Sequence, residues 1–293
     1  MEKIKQLLLL VLMAFAICAC SADSENQSPE EPTLLRISIL PDESKDKLLE
    51  RYTPLCEYLS AELGIPYRLI LVKTYDELLE LFHRKEIDLA YFGGYTFIKA
   101  HLRDQAVPLV MRNVDTRFTS YFLTRTDNPR RSLTEFKGLI FTFGSDLSTS
   151  GHLMPRFFLK KMGIIPEKFF TKTLYSGKHD QTAYWIRDGQ ADLGVANNLV
   201  IDQMYKDGRL SRQDVRIIEE TPPYPDYVWA LRPLNNKAFE IKLRNAFLSL
   251  SKINEAQDQI LKGVIAESFL PAGVNDFAKL MEIMNDLNFS EKK

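Results

Sequence analysis

Apolar positions along this chain fall into short runs and helical stripes that alternate in a regular order. "LLRISIL" (34–40) is a β-rich run, and "YTPLCEYLSAELG" (52–64) carries apolar residues at helical spacing with Gly64 as its stop. "YRLILV" (67–72) is again a strand, which makes a β-α-β unit. A helix from about Tyr75, a charged turn and the apolar run "IDLAYF" (87–92) follow, ended by Gly93-Gly94. The same grammar recurs in "DQTAYWIRDGQADLGVANN" (180–198): helix, Asp-Gly turn, strand, polar turn. Two α/β units of like architecture are predicted.

Between the two copies, "TSYFLTRTD" (119–127) and "GLIFTFG" (138–144) read as strands, separated by a loop or one helical turn. After the second copy, the strands "VRIIEE" and "YVWALRP" flank the Pro-rich turn "TPPYPD" (221–226). "NKAFEIKLRNAFLSLSKI" and "NDFAKLMEIMNDL" are amphipathic helices. A chain that crosses to the second unit near 125–130 and returns near 222–230 has two hinge strands. The expected lobes are then 33–126 with 227–293, and 127–226 between them. About 260 residues past the tether exceed one ordinary core, in keeping with two lobes.

The start of the chain reads differently. Lys3 and Lys5 precede an apolar run from Leu7 to Ile17, too short to span a bilayer and built as a signal peptide, residues 1–19. "ICAC" resembles a bacterial lipobox, with Ala19 just before Cys20, so cleavage would leave Cys20 as a lipidated N-terminus. "SADSENQSPEEP" (21–32) is polar and Pro-containing, a disordered tether with Cys20 at its head. The expected product is exported and lipid-anchored, held off a bacterial membrane on its periplasmic side or at the cell surface. Of the three cysteines, Cys18 leaves with the leader and Cys56 is left as a small buried residue on a helix.

Cleavage removes Lys3, Lys5 and Glu2, leaving 36 basic and 38 acidic side chains, with no basic stripe. Nucleic acid is excluded as a partner on that ground. The four histidines, His83, His101, His152 and His179, show no metal-ligand spacing, so neither metal nor cofactor is implied.

Candidate chemistry concentrates in "FGSDLSTSGHLMP" (143–155), which breaks off a strand and opens a helix over 151–162 closed by Gly163. Ser148, Thr149 and Ser150 supply hydroxyls, Gly151 admits a close backbone approach, and the free N–H groups of a helix start favour an anion. Ser150 by itself is an ordinary N-cap. Pro155 falls within the first turns of that helix, where it cannot donate, so an opened first turn is predicted.

"YTPLCEYLSAELG", "YDELLELFHRKEIDLAYFGGYTF", "GLIFTFGSDLSTSGHLMP", "YSGKHDQTAYWIRDGQADLGVAN" and "PPYPDYVWALRPL", taken in order, resemble the phosphate/phosphite/phosphonate substrate-binding components of ABC importers. The resemblance implies a two-lobed type II periplasmic-binding-protein clamshell that closes on a phosphorus oxyanion and hands it to a permease as a monomer. On that resemblance Ser148, Thr149, Ser150 and Gly151 hold one face of the anion and His179 of "SGKHD" donates from a second. Tyr75, with Tyr91 or Tyr95, closes over it from lobe one, and Asp226 matches a position that meets the amine of an aminoalkylphosphonate in some relatives. Asp226 is equally well explained as a turn residue of the hinge. Phe118 stands where relatives often place a tyrosine. Tyr224, Tyr227 and Trp229 are candidates to wall an organic substituent.

Two other functions fit parts of the pattern. A serine hydrolase would need a nucleophile elbow, and no G-x-S-x-G is present. A sensor of the same fold, signalling to a membrane partner, would share every motif above.

Overall fold

The computed structural model describes residues 31–289. The leader, Cys20 and all but the end of the tether lie outside them. The first half runs β1 (Leu35–Ile39), α1 (Lys45–Leu63), β2 (Tyr67–Leu71), α2 (Tyr75–His83), β3 (Leu89–Phe92), α3 (Gly94–Asp104) and β4 (Val107–Arg112). Leu48, Tyr52, Leu55, Cys56, Leu59 and Leu63 form the buried stripe of α1, at the helical spacing the sequence shows. That helix starts at Lys45, earlier than the predicted Tyr52, because Pro54 lies on its exposed face and does not end it.

The second half runs β5 (Ser120–Arg125), β6 (Ile140–Phe143), a π-helical turn (Thr149–Leu153), α4 (Met154–Lys161), α5 (Pro166–Phe169), β7 (Lys172–Tyr175), α6 (His179–Arg187), β8 (Leu193–Asn197), α7 (Asn198–Lys206) and β9 (Val215–Glu220). The chain then returns through β10 (Val228–Leu231), α8 (Lys237–Leu248), α9 (Glu255–Gly263), β11 (Phe269–Pro271) and α10 (Ala278–Asp286). Helix α9 and strand β11 carry no pattern that the sequence reading singles out.

Two sheets result, ordered β2-β1-β3-β10-β4-β11 and β7-β6-β8-β5-β9. Without β11 their orders coincide: second, first, third, exchanged and fourth strand. The exchanged strand is in each case antiparallel to both neighbours, β10 between β3 and β4 and β5 between β8 and β9. Each lobe thus receives one strand from the chain's passage into or out of the other. The first crossing therefore precedes β5 instead of following it near 125–130, because Ser120–Arg125 pairs with β8 and β9 of the second sheet. The two crossing segments run antiparallel, with Phe118 and Tyr224 exchanging backbone hydrogen bonds of 2.8 and 2.9 Å.

Alternation along the strands packs the second sheet on both faces. Phe122, Phe141, Leu193 and Val195 join Leu159 and Phe170 on one side, while Leu123, Ala196 and Val215 join Ile186 and Met204 on the other. The carboxyl ends of β1, β3, β6 and β8 open into the loops at 40–44, 93, 144–148 and 197–198, where an open α/β sheet takes its ligand.

Candidate oxyanion-binding site

The turn after β6 is held in shape by what Pro155 cannot do. Leu153 N–H donates to Ser148 O at 3.0 Å and Met154 N–H to Thr149 O, the wide spacing of a π turn. Pro155 offers no N–H to continue either pattern, so the carbonyls of Ser150 and Gly151 find other donors. Ser120 Oγ donates to Ser150 O at 2.7 Å, and Gly144 N–H to Gly151 O at 2.9 Å. The predicted opening of the first turn is thus a π turn over 149–153, and the regular helix begins at Met154. Ser148 caps the turn, its Oγ accepting from Gly151 N–H at 2.9 Å. A Cβ on Gly151 would lie 3.0 Å from both Ser148 Oγ and His179 Cε1, so the close approach needs glycine.

His179 opens α6 and is wholly buried. Its Nδ1 accepts from the backbone N–H of Asn197 at 3.2 Å, which assigns the ring proton to Nε2. Burial pushes its pKa down to about 3, so the ring is a neutral donor at physiological pH. Nε2 itself has no partner. Asp226 lies at the start of α3, its Oδ1 accepting from Gly94 N–H at 2.8 Å. Burial raises this carboxyl to about 7, against the lowering effects of that N–H and of the adjoining Thr149 and Ser150 hydroxyls, the Ser150 Oγ lying beside it without a formed hydrogen bond. Asp226 Oδ2 and Ser150 Oγ are also buried without hydrogen-bond partners. Three unsatisfied polar atoms, from three separate segments, therefore adjoin one turn.

Lobe one supplies further contacts. Thr149 Oγ1 accepts from Tyr95 N–H at 3.0 Å, and the Tyr75 hydroxyl, on the first residue of α2, adjoins Ser148. His179 N–H donates back to Asp42 O at 3.0 Å, so each lobe caps a helix start of the other. The starts of α2, α3, the π turn and α6 all adjoin the cluster, each turning the positive end of its dipole toward it, although Gly94, Tyr95, Gly151 and His179 N–H are already bonded within the protein.

Of the expected site residues, Ser148, Thr149, Ser150, Gly151, His179, Tyr75 and Asp226 come together. Tyr91 does not, because its hydroxyl donates to Asp115 Oδ2 at 3.3 Å and its ring stacks on Tyr227 and Trp229. Tyr95 contributes its backbone N–H, while its ring turns away onto Phe289. Trp229 is core, packed between Tyr91 and Phe247. Phe118 packs on Tyr224 and Tyr227 at the crossing segments. Tyr224 hydrogen-bonds to Ser120 Oγ, which holds Ser150 O, so the hinge is tied to the anion turn.

Asp42, Ser120 and Asn197 are the residues the sequence reading missed. Asn197 Nδ2 donates to Tyr227 Oη at 2.9 Å, and Tyr227 donates on to Asp42 Oδ2 at 2.9 Å. Burial, and then Glu43, raises Asp42 to about 7. The hints were position, since Asp42 follows β1 and Asn197 ends β8 much as the Ser-Thr-Ser turn follows β6, and for Asn197 its place as a helix N-cap.

The donors that remain for a ligand are neutral hydroxyls, helix-start N–H groups and an imidazole Nε2–H, with a half-ionised carboxyl beside them. Solvent meets the edge of the cluster in a groove of about 410 Å³ lined by Tyr75, Ser145, Tyr175 and Lys178. Among the described residues, no three His, Cys, Asp or Glu side chains are grouped to hold a metal, and no helix is long and apolar enough to cross a membrane.

Comparison with known proteins agrees with this geometry. Residues 37–277 match the family model described as ABC transporter, phosphonate, periplasmic substrate-binding protein. The chain is 30% identical, over 88% of its length and 91% of the relative's, to the probable ABC transporter phosphite binding protein PhnD1 of Prochlorococcus marinus. The solved structure of that protein in complex with methylphosphonate superposes with a TM-score of 0.83, covering 88% of this chain and 99% of the other. The binding component of a Pseudomonas aeruginosa ABC phosphonate transporter shares the fold at 19% identity and a TM-score of 0.79, each chain covered over 86%. The chain belongs to the periplasmic substrate-binding proteins of phosphonate-type ABC transporters, and is a binding component of transport and not an enzyme.

Proposed function

We propose that this chain captures a small phosphorus oxyanion, phosphite or methylphosphonate before phosphate, between its two lobes and presents it to an ABC permease. The carrying observation is the trio Ser150 Oγ, His179 Nε2 and Asp226 Oδ2, buried and unpartnered around one turn. A tetrahedral oxyanion supplies acceptors for the Ser150 and His179 donors and an oxygen that can share a proton with the Asp226 carboxyl. The P. marinus relative's complex with methylphosphonate supports the same ligand class. The lobes are assigned by sheet, β1–β4 with β10 and β11 against β5–β9, and closure pivots on the paired segments around Phe118 and Tyr224.

Asp226 adjoins the Thr149 and Ser150 hydroxyls, so it meets the head group and is not set a substituent's length away where an amine would lie. There it accepts from a protonated ligand oxygen, or donates to an unprotonated one. Sulfate, with no proton to share, is disfavoured. Titration calorimetry over phosphate, phosphite, methylphosphonate, 2-aminoethylphosphonate and sulfate tests this. The expected order puts phosphite and methylphosphonate first and sulfate last. Silence toward all four phosphorus oxyanions refutes the reading.

We further assign Cys20 as the lipidated N-terminus of a monomer tethered at the membrane, on the strength of Ala19-Cys20 after the apolar leader. A Cys20→Ala chain that stays with membranes after its leader is removed would exclude this anchor.

A further inference from the structure

Glu43 is a wholly buried carboxylate in the loop after β1, and the capture of the anion described above makes no use of it. Two guanidinium groups meet it. Arg51 Nη1 of α1 lies 2.7 Å from one oxygen, and Arg209 Nη2 donates to the other at 3.1 Å. Arg51 belongs to the same lobe as Glu43. Arg209 belongs to the other, on the turn between α7 and β9. Gly208 makes that turn at φ +76°, and Asp207 fixes the Arg209 head group by accepting from its Nε at 2.9 and 3.0 Å. Lys47 of lobe one stands 4.0 Å from Asp207, so four charges accompany Glu43 across the boundary.

The neighbouring residue connects this pair to the site. Asp42 O accepts the backbone N–H of His179, and Asp42 Oδ2 accepts from Tyr227. Two adjacent residues of the 40–44 loop thus carry the charge pair on Glu43 and the cap on the start of α6, where His179 presents its Nε2. Parting the lobes takes Arg209 from Glu43 and leaves a buried carboxylate with one partner, which favours the closed arrangement.

We propose that Arg209 is a positioning residue for ligand capture: paired with Glu43 across the lobe boundary, it seats the 42–43 loop on the start of α6 and holds the lobes closed over the anion. Arg209 itself does not touch the ligand. The inference rests on the oxyanion-capture reading for its ligand but not for its geometry, so the experiment has two arms. In the first, Arg209→Ala should weaken phosphite or methylphosphonate binding by on the order of tenfold, through faster dissociation with little change in association. Arg209→Lys should recover part of the loss, and Glu43→Gln combined with Arg209→Ala should be no worse than either alone. In the second arm, without ligand, amide exchange over 176–184 should quicken in Arg209→Ala, because the His179 N–H loses its hold on Asp42 O. Unchanged exchange together with affinity within twofold of the parent chain overturns the proposal. Faster exchange in a chain that binds none of the oxyanions upholds the latch and refutes the ligand instead.

Discussion

His179→Ala tests the central claim that a neutral imidazole donates to the anion. In the parent chain Nδ1 is occupied by Asn197 N–H at 3.2 Å, and Nε2–H is buried without a protein partner. A hydrogen bond to a charged acceptor contributes about 1.5–3 kcal/mol, so losing this donor should raise Kd about 10- to 150-fold. A second effect has a different signature. Truncation orphans the buried Asn197 N–H, at about 1–3 kcal/mol, in free and bound chains alike. That loss lowers Tm and largely cancels in Kd, so calorimetric titration with methylphosphonate and thermal unfolding separate the two. Protonation supplies an independent check. With its pKa held at about 3 by burial, the His179 ring should show the Nε2–H tautomer by nitrogen chemical shift and should not titrate above pH 5. A folded variant that binds within threefold of the parent, or a His179 resonance with its midpoint near the ordinary histidine value, refutes the neutral-donor assignment.

Three further outcomes are expected. Gly151→Ala places a methyl 3.0 Å from Ser148 Oγ and His179 Cε1 and 3.2 Å from Gly144 Cα, so it should destabilise the chain by about 1–3 kcal/mol and abolish binding, read by unfolding and titration; parent-like affinity would refute the close approach. Phe289→Ala removes a ring lying 5.2 Å from His152 and 6.0 Å from Tyr95, and should weaken binding about 2- to 10-fold, since that contact joins the C-terminal segment to the anion turn; unchanged affinity would mean that it packs without aiding closure. Asp42 and Asp226, raised to about 7, favour folding most below the unfolded carboxyl pKa of about 4, and that stability is lost as pH rises through 7; His179, lowered to about 3, acts oppositely, its share being full above about 6.5 and lost as pH falls. Chemical unfolding of parent and Asp226→Asn from pH 4.5 to 6 isolates one group: removing its raised carboxyl should make the slope of stability against pH less negative by on the order of 1 kcal/mol per pH unit. A parallel pair of curves would refute the raised Asp226.

What the sequence made legible follows from which interactions are local. Helices α2, α6 and α10 were readable because each carries its apolar stripe within one segment. The anion turn was readable because Ser148, Gly151 and Pro155 dictate its backbone together. Tyr91 was misplaced for a corresponding reason: a tyrosine at the end of β3 has two faces available, and the buried Arg112–Asp115 pair decides which one takes its hydroxyl. Arg112 and Asp115 are three residues apart and look like any surface pair until burial is known. The first crossing was misplaced because Ser120–Arg125 is as good a strand for one sheet as for the other, and only pairing with β8 and β9 settles it. Asp42 acts through partners distant in sequence, Tyr227 and His179, so nothing local marks it; Asn197 is marked only as the N-cap of α7, its Oδ1 accepting from Val200 N–H, while its bonds to Tyr227 and His179 leave no local trace.

That division also bears on how, in the proposed reading, a site with no arginine at the anion and lysine only at its edge can hold an anion. Arginine or lysine at the anion would bind sulfate and phosphate alike, because a point charge reads charge and not protons. The arginines around the site are already committed, Arg112 to Asp115, Arg51 and Arg209 to Glu43, and Arg156 to Glu167 and His152. Affinity is left to helix-start N–H groups, hydroxyls and one imidazole, which are directional and count the acceptors they meet. In the proposed reading the carboxyl of Asp226 is the discriminating group. A fully charged anion with no proton faces a carboxylate as it approaches, whereas a ligand bearing a P–OH turns the same oxygen into a partner. Closure strengthens both outcomes, since excluding water removes the screening that would soften the repulsion and the competition that would weaken the shared proton. If the proposed closure holds, selectivity and closure are one device, because the His179 N–H to Asp42 O contact joins the two lobes at the very helix start whose imidazole would read the ligand.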